Sequence, residues 1–197
     1  MEHYGVELSS STIREITFQH GARLLEQQKQ LITELGPEAG LKQLITQTDG
    51  SMVPIVENSP KSADKRKNKS LMWAEARLSL ARDVGSVTPR VAATMEESQQ
   101  AGAVWLDCVK RAGGGRKTKI HCVGDGAGWI IEQARQRFKQ QSSYLIDFYQ
   151  VSEYLAAAAA VIGGEKAAVW LEKRQERLKD NRVSEVIEQL LPHIEGI

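Results

Sequence analysis

The sequence predicts an α/β protein, a mixed β-sheet with helices on its faces. Three observations carry this. Apolar and β-branched residues run to either side of Asp49, and an alternating apolar–polar stretch follows around Ala76, Leu78 and Leu80. Two further short apolar runs, TKIHCVG and SYLID, are separated by helical sequence. The stretch after Val151 reads as helix. Strands joined by short connections pair antiparallel and strands separated by a helix pair in parallel, so this order gives a mixed sheet.

The elements follow in order. TIREITFQHGARLLEQQKQLITEL is predicted to be helical, with Ser9, Ser10 and Ser11 offering capping hydroxyls. Ile13, Ile16, Phe18, Leu24, Leu25, Leu31 and Leu35 recur at roughly helical spacing. Behind the turn HYGVELS, such a helix fits the second half of a helix-turn-helix, although an ordinary amphipathic helix is the commoner explanation. Gly36, Pro37 and Gly40 end the pattern. LKQLITQTDGSMVPIVEN predicts two strand-like runs, or one long bent strand, around Asp49-Gly50. NSPKSADKRKNKS is a polar loop, and Lys61, Lys65, Arg66, Lys67 and Lys69 make it the most basic stretch of the chain. A solvated loop explains it, and so does a contact with a nucleic-acid backbone.

LMWAEARLSLARDVGS predicts a half-buried strand. MEESQQAGAVWLDCVKRAG predicts a helix that starts with acids and ends with Lys110 and Arg111, as the helix dipole favours, and stops at glycines 113–115. TKIHCVGDGAGW is a strand ending at Gly124-Asp125-Gly126, WIIEQARQRF a helix, and Tyr144 to Phe148 a last strand. Helices follow in SEYLAAAAAVIGG, EKAAVWLEKRQERLKD and VSEVIEQLLPHI, broken at Gly163-Gly164 and Asp180-Asn181. This is the element order of the ribonuclease H-like fold, in which the first strand lies beside the strand ending at Val123.

Composition sets bounds on function. The chain has 197 residues, 41% hydrophobic and 26% charged, which is a globular and not a disordered composition. A net charge of +1 decides nothing about nucleic acid, because phosphate binding depends on local clusters. Cys108 and Cys122 form no CxxC pair and no disulfide framework, so a reducing cytoplasm is the expected setting. No apolar run approaches a membrane span, and MEHYGVELSSS lacks the basic start and apolar core of a signal peptide. A soluble, intracellular protein is expected.

Asp49 and Asp125 are the residues that could carry chemistry. Each sits at the end of an apolar run and precedes a glycine. In open α/β sheets, ligands gather at the carboxyl ends of strands. Two aspartates ending neighbouring strands would suit a hard divalent cation such as Mg²⁺, and a pair of such ions supports phosphodiester chemistry. Gly50, Gly124 and Gly126 would let a substrate approach the backbone closely. Either Asp-Gly alone is an ordinary turn dipeptide. Asp147 lies in the apolar run LIDFY, where it would face the same edge or cap a helix beginning near Ser152. Trp73, Trp105, Trp129 and Trp170 are expected to be packing residues, with Trp129 placed to flank a DNA end. His3, His20, His121 and His193 share no ligand spacing.

The segments TDGSMVPIV, WAEARLSLAR, VGDGAGWI and LIDFYQVSEYL together resemble the Kra-type branch of bacterial insertion-sequence transposases, DDE enzymes with a ribonuclease H-like core. The resemblance runs from HYGVELSSSTIREI to the final helices. It implies that Asp49 and Asp125 are the first two catalytic acids and bind Mg²⁺ or Mn²⁺, with DNA at the transposon ends as partner and self-association as a further interaction. It implies supporting roles for Glu75, Asp147 and Gln150, the last standing where the family has a histidine. Glutamine neither titrates near neutral pH nor ligates metal as imidazole does. Lys61, Lys65, Arg66, Lys67, Lys69, Thr12 and Arg14 are the expected DNA-binding residues.

The implied domains are a helical DNA-binding remnant at 1–40, the catalytic core at 41–151 and the start of a helical insertion at 152–197. The family's third acid, a glutamate on a later helix, has no match after Val151, and Glu153, Glu165 and Glu195 lack its motif. The resemblance therefore reads as a protein cut at both ends, weak or inactive in strand transfer. The alternatives are a non-catalytic DNA-binding module and a metal-dependent nuclease using only the aspartates.

Overall fold

The structure, a computed structural model, describes residues 8–28, 33–58 and 69–194. A five-stranded mixed sheet forms its centre, built from β1 (Gln43–Asn58), β2 (Lys69–Asp83), β3 (Arg90–Thr94), β4 (Lys119–Gly124) and β5 (Ser142–Ile146). The strand order is β3-β2-β1-β4-β5. β1 and β2 pair antiparallel, as do β2 and β3, while β4 runs parallel to both β1 and β5. The helices are α1 (Ser10–Gln28), α2 (Ser98–Arg111), α3 (Gly128–Phe138), α4 (Phe148–Ile162), α5 (Ala167–Lys179) and α6 (Val183–Leu190). None of the described helices is long and apolar enough to cross a membrane.

Side-chain alternation places the core. Leu44, Thr46 and Thr48 of β1 are buried, whereas Ile45 and Gln47 between them are only partly covered. The buried set meets α2, whose Ala101, Val104, Trp105, Cys108 and Val109 fall on one stripe at helical spacing. Leu44, Ala81, Trp105, Ile120, Cys122, Ile130 and Phe138 join in one cluster, with Trp105 edge-on to Phe138 at 5.0 Å between ring centroids. Fully burying each large apolar side chain contributes about 1.5–3 kcal/mol. The threonines are satisfied where they lie. Trp105 Nε1 donates to Thr46 Oγ1 at 2.6 Å, and Thr46 Oγ1 donates to the Leu80 carbonyl at 2.6 Å.

A close backbone crossing sets the start of β1 against the start of β4. Gly40 has φ +72°, and a Cβ there would lie 2.3 Å from the Gly115 nitrogen. Around this point Leu41 N donates to Gly113 O at 2.9 Å, Arg116 N to Glu38 O at 2.8 Å and Lys117 N to Ala39 O at 3.0 Å. Neither glycine leaves room for a side chain. The crossing leads directly into the register Gln43↔Lys119.

Several elements differ from the sequence expectations. Of the two forms expected for β1, the structure has the single long strand, because β2 pairs with it without interruption from Leu44↔Asp83 to Asn58↔Lys69. Asp49-Gly50 is therefore not a turn, and Asp49 is not at the strand's end. It stands just beyond the last β1–β4 pair, Gln47↔Val123. β5 stops at Ile146, and α4 starts at Phe148 rather than near Ser152. Asp147 is its N-cap, with Oδ1 accepting from Tyr149 N at 2.7 Å. α4 thus runs across the expected boundary at 151–152. Glu96 and Glu97 precede α2, so its first turn holds no acid, whereas Lys110 and Arg111 do occupy its last.

α1 differs most. Its described part is Ser10–Gln28, and Ile13, Ile16, Phe18, Leu24 and Leu25 are all exposed rather than packed. Leu31 lies outside the described residues, and Leu35 packs against the core as a loop residue. Trp105 meets the packing expectation, but Trp73 is 58% exposed. Among the described residues, β2 has no neighbour there besides β1, because β3 pairs only from Arg77 to Ala81.

Candidate functional site

The parallel strands bring three aspartates to one edge. Asp49 lies two residues past the Gln47↔Val123 pair, and so does Asp125. Asp125 and Asp147 each follow the last β4–β5 pair, Gly124↔Ile146, by one residue. Asp147 N continues that ladder, donating to Gly124 O at 2.8 Å. Continued by register, positions 49, 125 and 147 form a row across the carboxyl ends of the paired segments. Neighbouring strands are about 4.8 Å apart.

An open cleft of about 230 Å³ lies over this row, lined by Gln47, Thr48, Asp49, Asp125, Asp147, Tyr149, Gln150 and Glu153. Each aspartate turns one oxygen back onto nearby backbone. Asp49 Oδ1 accepts from Gly50 N at 2.7 Å, Asp125 Oδ1 from Ala127 N at 2.8 Å, and Asp147 Oδ1 from Tyr149 N. Among the described residues, no protein group bonds the second oxygen of any of the three. These local bonds keep the carboxylates oriented without drawing them together. Among the described residues, no three His, Cys, Asp or Glu side chains are gathered closely enough to hold a metal ion.

Beneath the row, Tyr144 hydroxyl accepts from Gly126 N at 3.3 Å. The phenol is held above its ordinary pKa, first by burial and then by the negative charges of Asp125, Cys122 and Asp49, against the lowering effect of the Gly126 N–H. A Cβ at Gly124 would meet this hydroxyl at 2.3 Å, so the glycine is needed for Tyr144 to reach under the loop.

The structure brings together Asp49, Asp125, Asp147 and Gln150, but not Glu75. Glu75 lies over Gly50 on β1 and pairs with Arg77, whose guanidinium stacks 5.3 Å from the Trp129 ring centroid and also binds the Glu96 carbonyl. That group ties β2 to the start of α3, next to the loop carrying Asp125. Trp129 is thus occupied with Arg77 on the core side. Lys69 is exposed at the start of β2, and Lys61, Lys65, Arg66 and Lys67 lie outside the described residues. Thr12 and Arg14 sit on α1. Thr12 N donates to Ser9 Oγ at 3.1 Å and Arg14 packs 5.6 Å from the Phe18 ring centroid, away from the cleft's lining.

Sequence reasoning left Glu153, Tyr149 and Tyr144 out of the site. The signal for the first two was available: once Asp147 is read as an N-cap, Tyr149, Gln150 and Glu153 fall on one helical face at i, i+1 and i+4. Tyr144 could be found only through its reach beneath Gly124.

No protein-family model matches the chain, and no curated protein matches it. Comparison with solved structures returns a crystal structure of NurA at 16% identity and a TM-score of 0.16, over 93% of this chain and 46% of that one. This chain therefore spans less than half the length of that protein's chain. At that TM-score the likeness carries no argument about fold or function.

Proposed function

We propose that this chain is a transposase-derived protein with a ribonuclease H-like core, related to the Kra-type DDE enzymes, in which Asp49 and Asp125 hold Mg²⁺ or Mn²⁺ at a DNA-cleavage site. The observation that carries the reading is the meeting of Asp49 and Asp125 at one edge of adjacent parallel strands, beneath a shared cleft. The strand order β3-β2-β1-β4-β5, with an antiparallel meander followed by two parallel strands, supports it as well.

The donor set suits a hard cation. Every polar side chain lining the cleft offers oxygen, and Asp49 and Asp125 each keep one carboxylate oxygen unbonded among the described residues. Mg²⁺ commonly takes one or two carboxylates together with substrate phosphates instead of an all-protein cage, so ungathered acids are compatible with it. When bound, the ion would supply charge stabilisation and an activated oxygen nucleophile for phosphodiester cleavage. The protein's own part is orientation. Asp125 is fixed by the Ala127 N–H, Asp147 by α4, and Tyr144 supports the loop between β4 and α3 through Gly126. Gln150 can hydrogen-bond a phosphate oxygen but cannot carry a proton as histidine would. With no match to the family's third acid, the chain by itself is weak or inactive in strand transfer on transposon-end DNA.

Calorimetric titration with Mn²⁺ tests the site. Asp49→Asn and Asp125→Asn each retain the local backbone bond yet remove the charge, and should weaken binding at least about 10-fold, or about 1.4 kcal/mol. Unchanged affinity in both variants would overturn the metal assignment. The second reading is a DNA-binding module without catalysis. Under it, Asp49→Ala leaves DNA affinity intact, and neither parent nor variant cleaves. Cleavage by the unmodified chain, lost in Asp49→Ala, favours a nuclease using the aspartates.

A further inference from the structure

The last β1–β4 pair is Gln47↔Val123, and Asp49 and Asp125 stand two residues beyond it. The β1–β4 ladder itself therefore does not set the spacing of the two carboxylates. At this point β1 is held from its other side, where Asp49 faces Leu78 and Gly50 faces Arg77 across the β1–β2 ladder. Alternation divides the two β1 residues between the faces of the sheet. Asp49 shares a face with Gln47, and Gly50 shares the inner face with the buried Thr46 and Thr48.

The Arg77 side chain crosses that inner face. Its guanidinium donates to the Glu75 carboxylate and to the Glu96 carbonyl, and stacks 5.3 Å from the Trp129 ring centroid. Glu75 leans over Gly50, where a Cβ would run into its carboxylate, so the glycine after Asp49 makes room for this pair instead of forming a turn. Trp129 is the second residue of α3 and packs on the core cluster. Two residues before it is Ala127, whose N–H holds Asp125. One guanidinium thus connects β1 behind Asp49 with the helix start behind Asp125, past the end of the ladder. The Arg77 side chain is 15% exposed, and a planar fork of several donors suits such bridging better than an ammonium group does.

We infer that Arg77 is a positioning residue for the Asp49–Asp125 pair: paired with Glu75 and stacked on Trp129, it fixes the separation at which the two carboxylates meet a divalent ion. The inference rests on the metal reading of the cleft. Neither Arg77 nor Trp129 lines that cleft, so neither touches the ion. The consequence is selectivity. Mg²⁺ demands near-ideal octahedral geometry at about 2.0–2.1 Å, whereas Ca²⁺ accepts irregular geometry at about 2.3–2.6 Å. Loosening the two carboxylates therefore weakens Mg²⁺ more than Ca²⁺.

Calorimetric titration of the full chain with Mg²⁺ and, separately, with Ca²⁺ tests it. Groups that orient metal ligands alter affinity by about 10–100-fold when removed, and one acting at second hand should do less. Trp129→Leu keeps apolar packing but removes the ring, and should weaken Mg²⁺ about 5-fold and Ca²⁺ less than about 2-fold. Arg77→Met should do the same. Trp129→Phe, which keeps a ring against the guanidinium, should retain the parent's ratio of Mg²⁺ to Ca²⁺ affinity. Gly115→Ala strains the far end of the β1–β4 pair and should lower stability without changing that ratio. Circular dichroism identical to the parent confirms that the Arg77 and Trp129 variants fold, and if Arg77→Met does not, the two Trp129 variants carry the test. A parental ratio in Trp129→Leu overturns the positioning role, and so does an equal fall in Gly115→Ala. Asp49→Asn separates this from the metal reading. If it abolishes Mg²⁺ binding while Trp129→Leu keeps the parental ratio, the positioning role alone fails; a parent chain that binds neither ion sinks both.

Discussion

Replacing Thr46 by valine isolates one joint between the sheet and α2. Thr46 and Trp105 are both fully buried, and the threonine hydroxyl accepts from the Trp105 indole and donates to the Leu80 carbonyl. Valine keeps nearly the same shape, so no cavity forms, but the indole N–H is left without a partner. A stranded buried donor costs about 1–3 kcal/mol. Valine's better burial and strand preference offset part of this, so a net loss near 2 kcal/mol is expected. In a chain of this size that lowers Tm by about 4–8 °C. Urea unfolding followed by tryptophan fluorescence and far-ultraviolet circular dichroism measures it. A double-mutant cycle with Trp105→Phe should show a coupling of at least about 1 kcal/mol, because the pair is deleted together. A Thr46→Val loss below about 0.5 kcal/mol, or strictly additive effects, would refute the account of the joint.

Gly115→Ala should destabilise by about 1–3 kcal/mol in the same assay, because a Cβ there would lie 2.5 Å from the Glu38 carbonyl oxygen and 2.6 Å from the Gly40 nitrogen, neither of which can swing aside. Asp147→Ala should cost about 1 kcal/mol through the lost cap on α4, with Asp147→Asn retaining most of it. Burial pushes Cys108 up to about 11, with the charge of Asp107 adding to it, and burial pushes Cys122 up to about 12, both from 9. Folded-state values raised in this way stabilise fully below pH 9 and are lost as pH climbs toward 11–12. Urea midpoints should therefore fall between pH 9 and 11, by up to about 1.4 kcal/mol per pH unit for each thiol. A flat profile over that range would show that the thiols titrate normally.

Much of the sheet was legible because its signals are local. Alternation at Ala76, Leu78 and Leu80 marked β2 as a strand but pointed to the wrong face, since Leu78 is 51% exposed and Ser79 and Ala81 are buried, while the glycine run at 113–115 stopped α2, and Gly163-Gly164 and Asp180-Asn181 separated the last helices. The pairing of β1 with β4 followed from element order. The errors lie where a distant partner decides. Asp49-Gly50 looks like a turn in one dimension, and β2 holds it extended along its full length. Trp73 looks like a core residue, yet its strand has outrun β3. α1 has apolar residues at helical spacing, and no element packs on them among the described residues.

The candidate site divides in the same way. Sequence alone determined that Asp49 and Asp125 follow apolar runs and precede glycines. That much is covalent order and local preference. Only the tertiary structure decided that Asp49 sits mid-strand beside Asp125, that Asp147 caps α4 at the same edge, and that Glu153 and Tyr149 share their cleft while Glu75 is held by Arg77 on the core side. Those relations depend on strand register and on where a helix begins. Register is set by pairing between residues far apart in the chain, which no local pattern encodes.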